Sequence, residues 1–212
     1  LTQEQTLDSS RIALYHKSYF TLAMARDNSL PLFYPRKGLY TAATVTWAGV
    51  GFQSDFHFLR LLGEVRHYQR VGRTSVLATR IKAGSLRRLG PDRFTPIEER
   101  FFTGGASSVR GWGHSEIGPK NSAGLPIGGN SLLELGVELR REWAGPISGA
   151  LFFDAGNVWP RLHGHNLGDL CTAAGAGLRY RTPIGPIRLD FGWPLNRSGK
   201  GVQFHLSVGQ AF

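Results

Sequence analysis

The chain has 212 residues, of which 41% are hydrophobic, and its single cysteine excludes an internal disulfide. This length suffices for one domain or one barrel, and the sequence contains no apolar run of the roughly 18 to 20 residues that a membrane helix needs. The formal net charge of +10 fits a nucleic-acid-binding protein, and it also fits a barrel with an arginine-rich polar interior. The placement of the charges along the chain decides between the two.

Charged and apolar residues alternate along much of the chain, which predicts antiparallel β-strands with one apolar and one polar face. We predict nine strands, several of them joined by short turns rich in glycine and proline. Their predicted bounds are 10–27, 38–50, 56–69, 73–84, 131–142, 147–159, 172–182, 186–195 and 201–212. One long loop, residues 85–130, separates the fourth strand from the fifth.

The polar faces of these strands carry charges of both signs. In the fifth predicted strand, Leu135 and Val137 alternate with Glu134 and Glu138. Charged polar faces, together with aromatic residues near strand ends, favour a membrane barrel over a soluble sandwich. Those aromatic residues are Tyr40, Trp143, Trp159 and Trp193. The predicted fold class is therefore all-β, an antiparallel transmembrane β-barrel of about nine or ten strands with outward apolar faces.

The long loop contains the tetrapeptide Val109-Arg110-Gly111-Trp112, preceded by an Arg-Phe-Phe-Thr-Gly-Gly segment. This resembles the (Val/Ile)-Arg-Gly-(Phe/Tyr) motif of the bacterial outer-membrane assembly and secretion superfamily (the bacterial surface antigen family), with Trp in the last position. The preceding segment looks most like TamA, a relative of BamA. Further segments resemble the family in the same order along the chain, at 32–38, 128–131, 152–159, 180–186 and the final residue, Phe212.

The resemblance implies a protein of the bacterial outer membrane that inserts or translocates other proteins, and that is neither an enzyme nor dependent on a cofactor. It also implies that the loop folds into the barrel lumen, where acidic side chains of the wall hold Arg110. Asp154 and Glu138 lie on the polar faces of adjacent predicted strands, and a guanidinium removed from water requires hydrogen-bonding carboxylates. We therefore expect these two residues to bind Arg110, in one domain over 1–212 that forms the C-terminal part of a longer family barrel.

Family members are thought to use a weak seam between the first and last barrel strands, where an unpaired edge accepts a client strand. Gly201 and Gly209 would weaken the last predicted strand, or they only relieve its curvature, and the sequence favours neither. We expect Phe212 to end the apolar face of that strand. The implied partners are the outer-membrane lipid bilayer, client outer-membrane or secreted proteins, and a periplasm-spanning protein as for TamA, whereas nucleic acid is not expected.

Three alternative functions remain open: a membrane anchor for an outer-membrane enzyme or autotransported domain, a passive pore, and a soluble nucleic-acid-binding β-domain. Ser107 and Ser108 lack a nucleophile elbow, and the two histidines of segment 163–165 are too few for a metal site, so no metal is expected. We expect Arg140 and its neighbour Arg141 in headgroups or solvent at a strand end.

The strand count leaves the assembly open. The family barrel has about sixteen strands, so nine or ten predict a fragment, a small divergent barrel or one part of a multi-chain barrel. The sequence begins at Leu1 without a basic-then-apolar leader, which is expected of a processed chain or of one that begins inside a longer protein.

Overall fold

The computed structural model describes residues 16–49, 54–90, 95–162, 165–196 and 201–212. Within these ranges nine strands form one sheet in which each strand pairs antiparallel with the next along the chain. The strands are β1 (Tyr19–Asp27), β2 (Gly38–Ala48), β3 (Phe58–Val71), β4 (Ser75–Arg88), β5 (Ser131–Glu142), β6 (Ile147–Trp159), β7 (Cys171–Tyr180), β8 (Ile187–Pro194) and β9 (Gln203–Val208). Two 3₁₀ turns, Ile97–Glu99 and Leu167–Asp169, lie in the connections.

The predicted all-β antiparallel fold is confirmed, and β5 and β6 begin and end where the alternation predicted. The sheet is not closed, because β1 and β9 are its two edges. Strand β4 continues to Arg88, so the long connection to β5 begins after Arg88 rather than at residue 85. Residues 10–15 of the first predicted strand and residue 50 of the second lie outside the described residues.

The two faces of the sheet differ in exposure as the alternation predicted. We call the side covered by residues 95–130 the inner face. In β5, Glu134 and Glu138 point to the inner face and are buried, whereas Val137 and Leu139 point outward and are 44% and 41% exposed. An exposed apolar outer face is what a lipid-facing surface requires. No helix of the described residues is long and apolar enough to cross a membrane.

The sheet curves, since connections that are far apart in strand order meet at the short-turn end. The Tyr34 hydroxyl, between β1 and β2, donates a hydrogen bond to the carbonyl of Thr182, between β7 and β8 (2.6 Å). The Arg36 guanidinium lies 3.3 Å from the carboxylate of Glu142 at the end of β5. These contacts bring the β1–β2 connection against the β7–β8 turn and the end of β5.

Apolar clusters on the inner face lie at both ends of the strands. One cluster lies at the long-loop end and consists of Ala48, Phe56, Phe58, Leu86, Phe101, Leu132 and Val158. A second lies at the short-turn end and consists of Tyr68, Val76, Ala78, Ala211 and Phe212. A third lies within the long loop and against β7, and consists of Val109, Trp112, Ile117 and Ala173. Charged side chains occupy the inner face between them.

The expected position of Phe212 on the outward apolar face is wrong. Strand β9 ends at Val208, and Gly209 has a φ of +95°, a left-handed conformation that glycine adopts without steric cost. The chain leaves the strand direction there, and Phe212 lies on the inner face with 5% of its surface exposed. Its ring lies 5.4 Å from the Arg80 guanidinium and 5.8 Å from that of Arg140.

Candidate functional site

Two tight turns shape the Val-Arg-Gly-Trp tetrapeptide, whose four residues are all buried on the inner face. The amide of Ser108 donates to the carbonyl of Gly105 (3.0 Å), and the amide of Trp112 donates to the carbonyl of Val109 (3.1 Å). Gly105 has a φ of +104°, which a residue with a side chain would adopt only with strain. The turns direct the Arg110 side chain toward β5 and β6 and its carbonyl toward β8 and β9.

The structure brings Arg110 together with Asp154 and Glu138. The Arg110 Nε and Nη2 atoms donate to the two oxygens of Asp154 at 2.7 and 2.9 Å, and the Arg110 amide donates to the same carboxylate at 3.2 Å. Arg110 Nη1 donates to Glu138. The guanidinium also lies 3.6 Å from the centroid of the Phe152 ring. A two-pronged carboxylate contact and an aromatic face are geometries that arginine satisfies and lysine does not.

These residues belong to a larger group of buried charges, which we call the buried charge network. Glu138 also accepts hydrogen bonds from Arg140 (2.7 Å) and Arg179 (3.3 Å). Asp190 accepts from Arg179 (2.5 Å) and lies 3.4 Å from Nη1 of Arg188. The network holds four guanidinium groups and three carboxylates, a formal excess of one positive charge. Its members are Arg110, Arg140, Arg179, Arg188, Glu138, Asp154 and Asp190.

Glycines provide the space for the loop and the network. A Cβ on Gly192 in β8 would lie 2.4 Å from the carbonyl oxygen of Arg110, and one on Gly111 would lie 2.5 Å from the Cβ of Ala173 in β7. A Cβ on Gly177 would lie 2.0 Å from the Asp190 carboxylate. Cβ atoms do not approach other atoms so closely. The loop can therefore contact β7 and β8, and the charged side chains can meet, only because these positions are glycine.

A second ion pair holds the loop closer to the long-loop end. Arg80 Nη2 donates to Glu134 at 2.7 Å, and both side chains are buried. Arg80 also donates to the main-chain carbonyl of Ser107. The hydroxyls of Thr103 and Ser108 donate to Glu134 at 2.5 and 2.7 Å. The loop therefore supplies hydrogen-bond partners to both members of this buried ion pair, two hydroxyls to Glu134 and one carbonyl to Arg80.

Strands β8 and β9 hold the main chain of the loop. Arg188 Nη2 on β8 donates to the carbonyl of Ala106 at 2.7 Å. His205 on β9 places its Nε2 2.8 Å from the carbonyl oxygen of Arg110. The loop thus contacts β5 and β6 through the side chains of Arg110, Thr103 and Ser108, and β8 and β9 through its carbonyl groups.

Several site residues were missed by the sequence argument. Arg188 and Asp190 stand on a predicted polar face, but alternation along one strand does not tell which charges meet across neighbouring strands. The expectation for Arg140 is wrong, since only 8% of it is exposed and its Nη2 donates to the main-chain oxygen of Phe212 at 3.0 Å. Arg179 carried no sequence signal that we recognised.

The remaining predicted residues lie away from the network. Gly201 is exposed and precedes β9, whereas Gly209 follows it and donates its amide to the carbonyl of Pro186 (2.8 Å). Residues 163 and 164 lie outside the described residues. His165 Nε2 lies 2.7 Å from the Ser131 hydroxyl, so the structure gives that histidine a hydrogen-bond partner.

Comparison with known proteins settles the family. The family model of the Omp85 superfamily domain matches residues 4–212. The chain belongs to the Omp85 superfamily. Among curated relatives, the outer membrane protein assembly factor BamA of Nitratidesulfovibrio vulgaris is 29% identical over 186 residues, which cover 84% of this chain and 23% of that protein. A SAM50-like protein of Schizosaccharomyces pombe is 27% identical over 213 residues, which cover 91% of this chain and 44% of that protein.

A solved structure agrees with the fold. The barrel of BamA from Haemophilus ducreyi, in a structure lacking POTRA domains 1–3, superposes with a TM-score of 0.75 at 22% identity and covers 90% of this chain and 42% of that one. The chain therefore spans between 23% and 44% of the length of these relatives. The bacterial outer membrane, the localisation expected from the sequence, is confirmed by the Omp85 membership and the BamA relatives. The likeness to TamA remains a prediction.

Proposed function

We propose that this chain forms part of the barrel wall of an outer-membrane protein insertion factor. It acts through the tetrapeptide loop and through a labile seam at the edge of the sheet. The observation that carries the proposal is a loop pinned by buried ion pairs to the inner face of a sheet whose two edge strands, β1 and β9, pair with no second strand among the described residues. The names of the BamA relatives, which describe outer membrane protein assembly factors, support the same function.

The loop fixes the shape of the inner face. It contacts β3 through Glu99, whose carbonyl accepts a hydrogen bond from Arg60 (3.1 Å), β4 through Arg80, and β5 and β6 through Arg110. A loop attached to so many strands holds their relative positions while one edge of the sheet moves. A loop that covers the inner face also argues against a wide passive pore.

The edge strand β9 provides the seam. It has six residues, and β8 is the one strand that pairs with it among the described residues. An edge strand offers unpaired amide and carbonyl groups to a partner chain, which binds by extending the sheet. Gly201 and Gly209 flank β9 and limit its length, so a short, weakly held strand can exchange its partner. Outward residues Phe204 and Leu206 are exposed, as contact with lipid requires.

The partners that follow are unfolded outer-membrane or secreted proteins as clients and the lipid bilayer itself. A periplasm-spanning protein is a further proposed partner, as for TamA. Strand addition transfers hydrogen bonds from the wall to the client without breaking a covalent bond, so the proposed function requires neither a catalytic group nor a cofactor.

A reconstitution assay tests this function. The purified protein is placed in phospholipid vesicles, an unfolded outer-membrane barrel is added, and folded client is quantified by its altered migration on unheated gels. We expect the client to fold several-fold faster than in vesicles that contain an unrelated porin at the same density. Equal rates in the two kinds of vesicle would refute the proposed function.

A further inference from the structure

A single histidine links the last strand to the tetrapeptide. His205 is the third of the six residues of β9, pairs in register with Asp190 on β8, and points to the inner face. Its Nε2 lies 2.8 Å from the carbonyl oxygen of Arg110. Because a carbonyl oxygen only accepts hydrogen bonds, this ring nitrogen is the donor.

This contact is distinct from the buried charge network. It reaches the main chain of Arg110, so the acceptor would persist if the guanidinium were removed. Gly192 on β8 makes the approach possible, since a Cβ there would lie 2.4 Å from the same carbonyl oxygen. The Arg110 carbonyl therefore lies between the backbone of β8, which it contacts at Gly192, and the imidazole of His205 on β9, which donates to it.

The other inner-face residues of β9 contact the loop less directly. Ser207 accepts a hydrogen bond from Arg188 Nε (2.6 Å), and Arg188 in turn donates to the Ala106 carbonyl. For Gln203, two residues from His205 on the same face, the described residues include no hydrogen-bond partner for its side chain. Among the described hydrogen bonds, His205 is thus the one direct side-chain link from β9 to the loop.

We propose that His205 is a positioning residue that couples the tetrapeptide loop to strand β9, so that release of the strand edge and release of the loop main chain occur together. This inference rests on the proposed function, in which β9 exchanges partners during insertion. The imidazole keeps the Arg110 carbonyl against β8 while β9 is paired, and it withdraws with β9 when the edge opens.

Hydrogen–deuterium exchange of the complete protein in vesicles tests the coupling. The variants are His205→Leu, which removes the donor, His205→Gln, which retains an N–H donor, and Gln203→Leu as the matched control. We expect His205→Leu to exchange amides of segment 105–113 about three- to tenfold faster than the wild type, the fold-change of one ordinary hydrogen bond. His205→Gln should recover most of the protection, and Gln203→Leu should leave this segment unchanged.

Two outcomes overturn the inference. If His205→Leu accelerates exchange in β9 alone, the histidine merely stabilises its own strand, and if it changes neither segment, the link is absent. If His205→Leu does not fold, the wild type still provides a test. Amide exchange is then followed in increasing urea, and segments 105–113 and 203–208 should open with one midpoint. Separate midpoints would contradict the coupling. Client insertion is measured separately, so faster loop exchange with unchanged insertion would support the coupling and count against the proposed seam.

Discussion

Replacement of Arg110 by alanine is the most informative perturbation of the site. It removes the guanidinium that donates to Asp154 and Glu138. The substitution affects the two carboxylates differently. Glu138 retains hydrogen bonds from Arg140 and Arg179. Asp154 loses its counter-charge, because among the described residues Arg110 is the one cation within ion-pair distance of it. Asp154 is 1% exposed, so Arg110→Ala leaves a buried carboxylate without a counter-charge.

The expected magnitude follows from this environment. Removing one partner of a buried ion pair costs about 3 to 5 kcal/mol, because the remaining charge is desolvated without compensation. Asp154→Ala should cost a similar amount, since it leaves the positive excess of the network larger. The double variant should be little worse than either single one, so the coupling energy should be close to the cost of one single variant, about 3 to 5 kcal/mol. Arg110→Lys should recover little, because lysine lacks the two-pronged geometry.

The assay is urea unfolding of the protein in vesicles, followed by tryptophan fluorescence. Arg181→Ala serves as the matched control, because Arg181 forms a 2.8 Å ion pair with Glu142 in which the side chains are 46% and 36% exposed. An exposed pair of this kind contributes less than about 1 kcal/mol. The reasoning is wrong if the losses from Arg110→Ala and Asp154→Ala simply add, or if Arg181→Ala costs as much as Arg110→Ala.

Three further predictions concern orientation and packing. A cysteine that replaces Leu206, which is 67% exposed, should react with a lipid-phase probe. A cysteine that replaces Lys82, on the inner face, should react with an aqueous probe, and the opposite labelling would contradict the barrel orientation. Gly192→Ala should lower the unfolding free energy by about 1 to 3 kcal/mol through overpacking. Gly63→Ala should change it little, because a Cβ there meets no atom within 4 Å. Equal losses would contradict the close approach of the Arg110 carbonyl to Gly192. Phe212→Ala should cost about 3 to 5 kcal/mol and impair refolding in detergent as well as insertion in cells, because the ring is buried; normal refolding in detergent would show that it is not.

The strands were predictable because apolar and polar side chains alternate along them with a period of two residues. In β5, alternation between residues such as Leu135 and Glu134 marked both the strand and its two faces, and the structure shows the faces as predicted. The end of the last strand was not predictable in this way. The bend at Gly209 depends on a left-handed backbone that glycine permits but does not require, and the inward position of Phe212 follows from that bend.

The site was predictable only in part, for a related reason. Arg110, Asp154 and Glu138 could be singled out because the motif and the polar faces of two adjacent strands indicated them. The contacts of Arg179 and Asp190 depend on the curvature of the sheet and on the register between β7 and β8, neither of which alternation along one strand encodes. The role of His205 as a donor to the loop depends on the same curvature.

The insertion rate of a client is the most direct test of the account, because the central claim is that a pinned tetrapeptide loop is required for insertion. Vesicles containing the Arg110→Ala protein are compared with vesicles containing the Arg181→Ala protein, after unheated gels show that both are folded. We predict that client folding in the Arg110→Ala vesicles falls to the rate of protein-free vesicles, while the Arg181→Ala vesicles retain the wild-type rate. A folded Arg110→Ala protein that inserts clients at the wild-type rate would contradict the account.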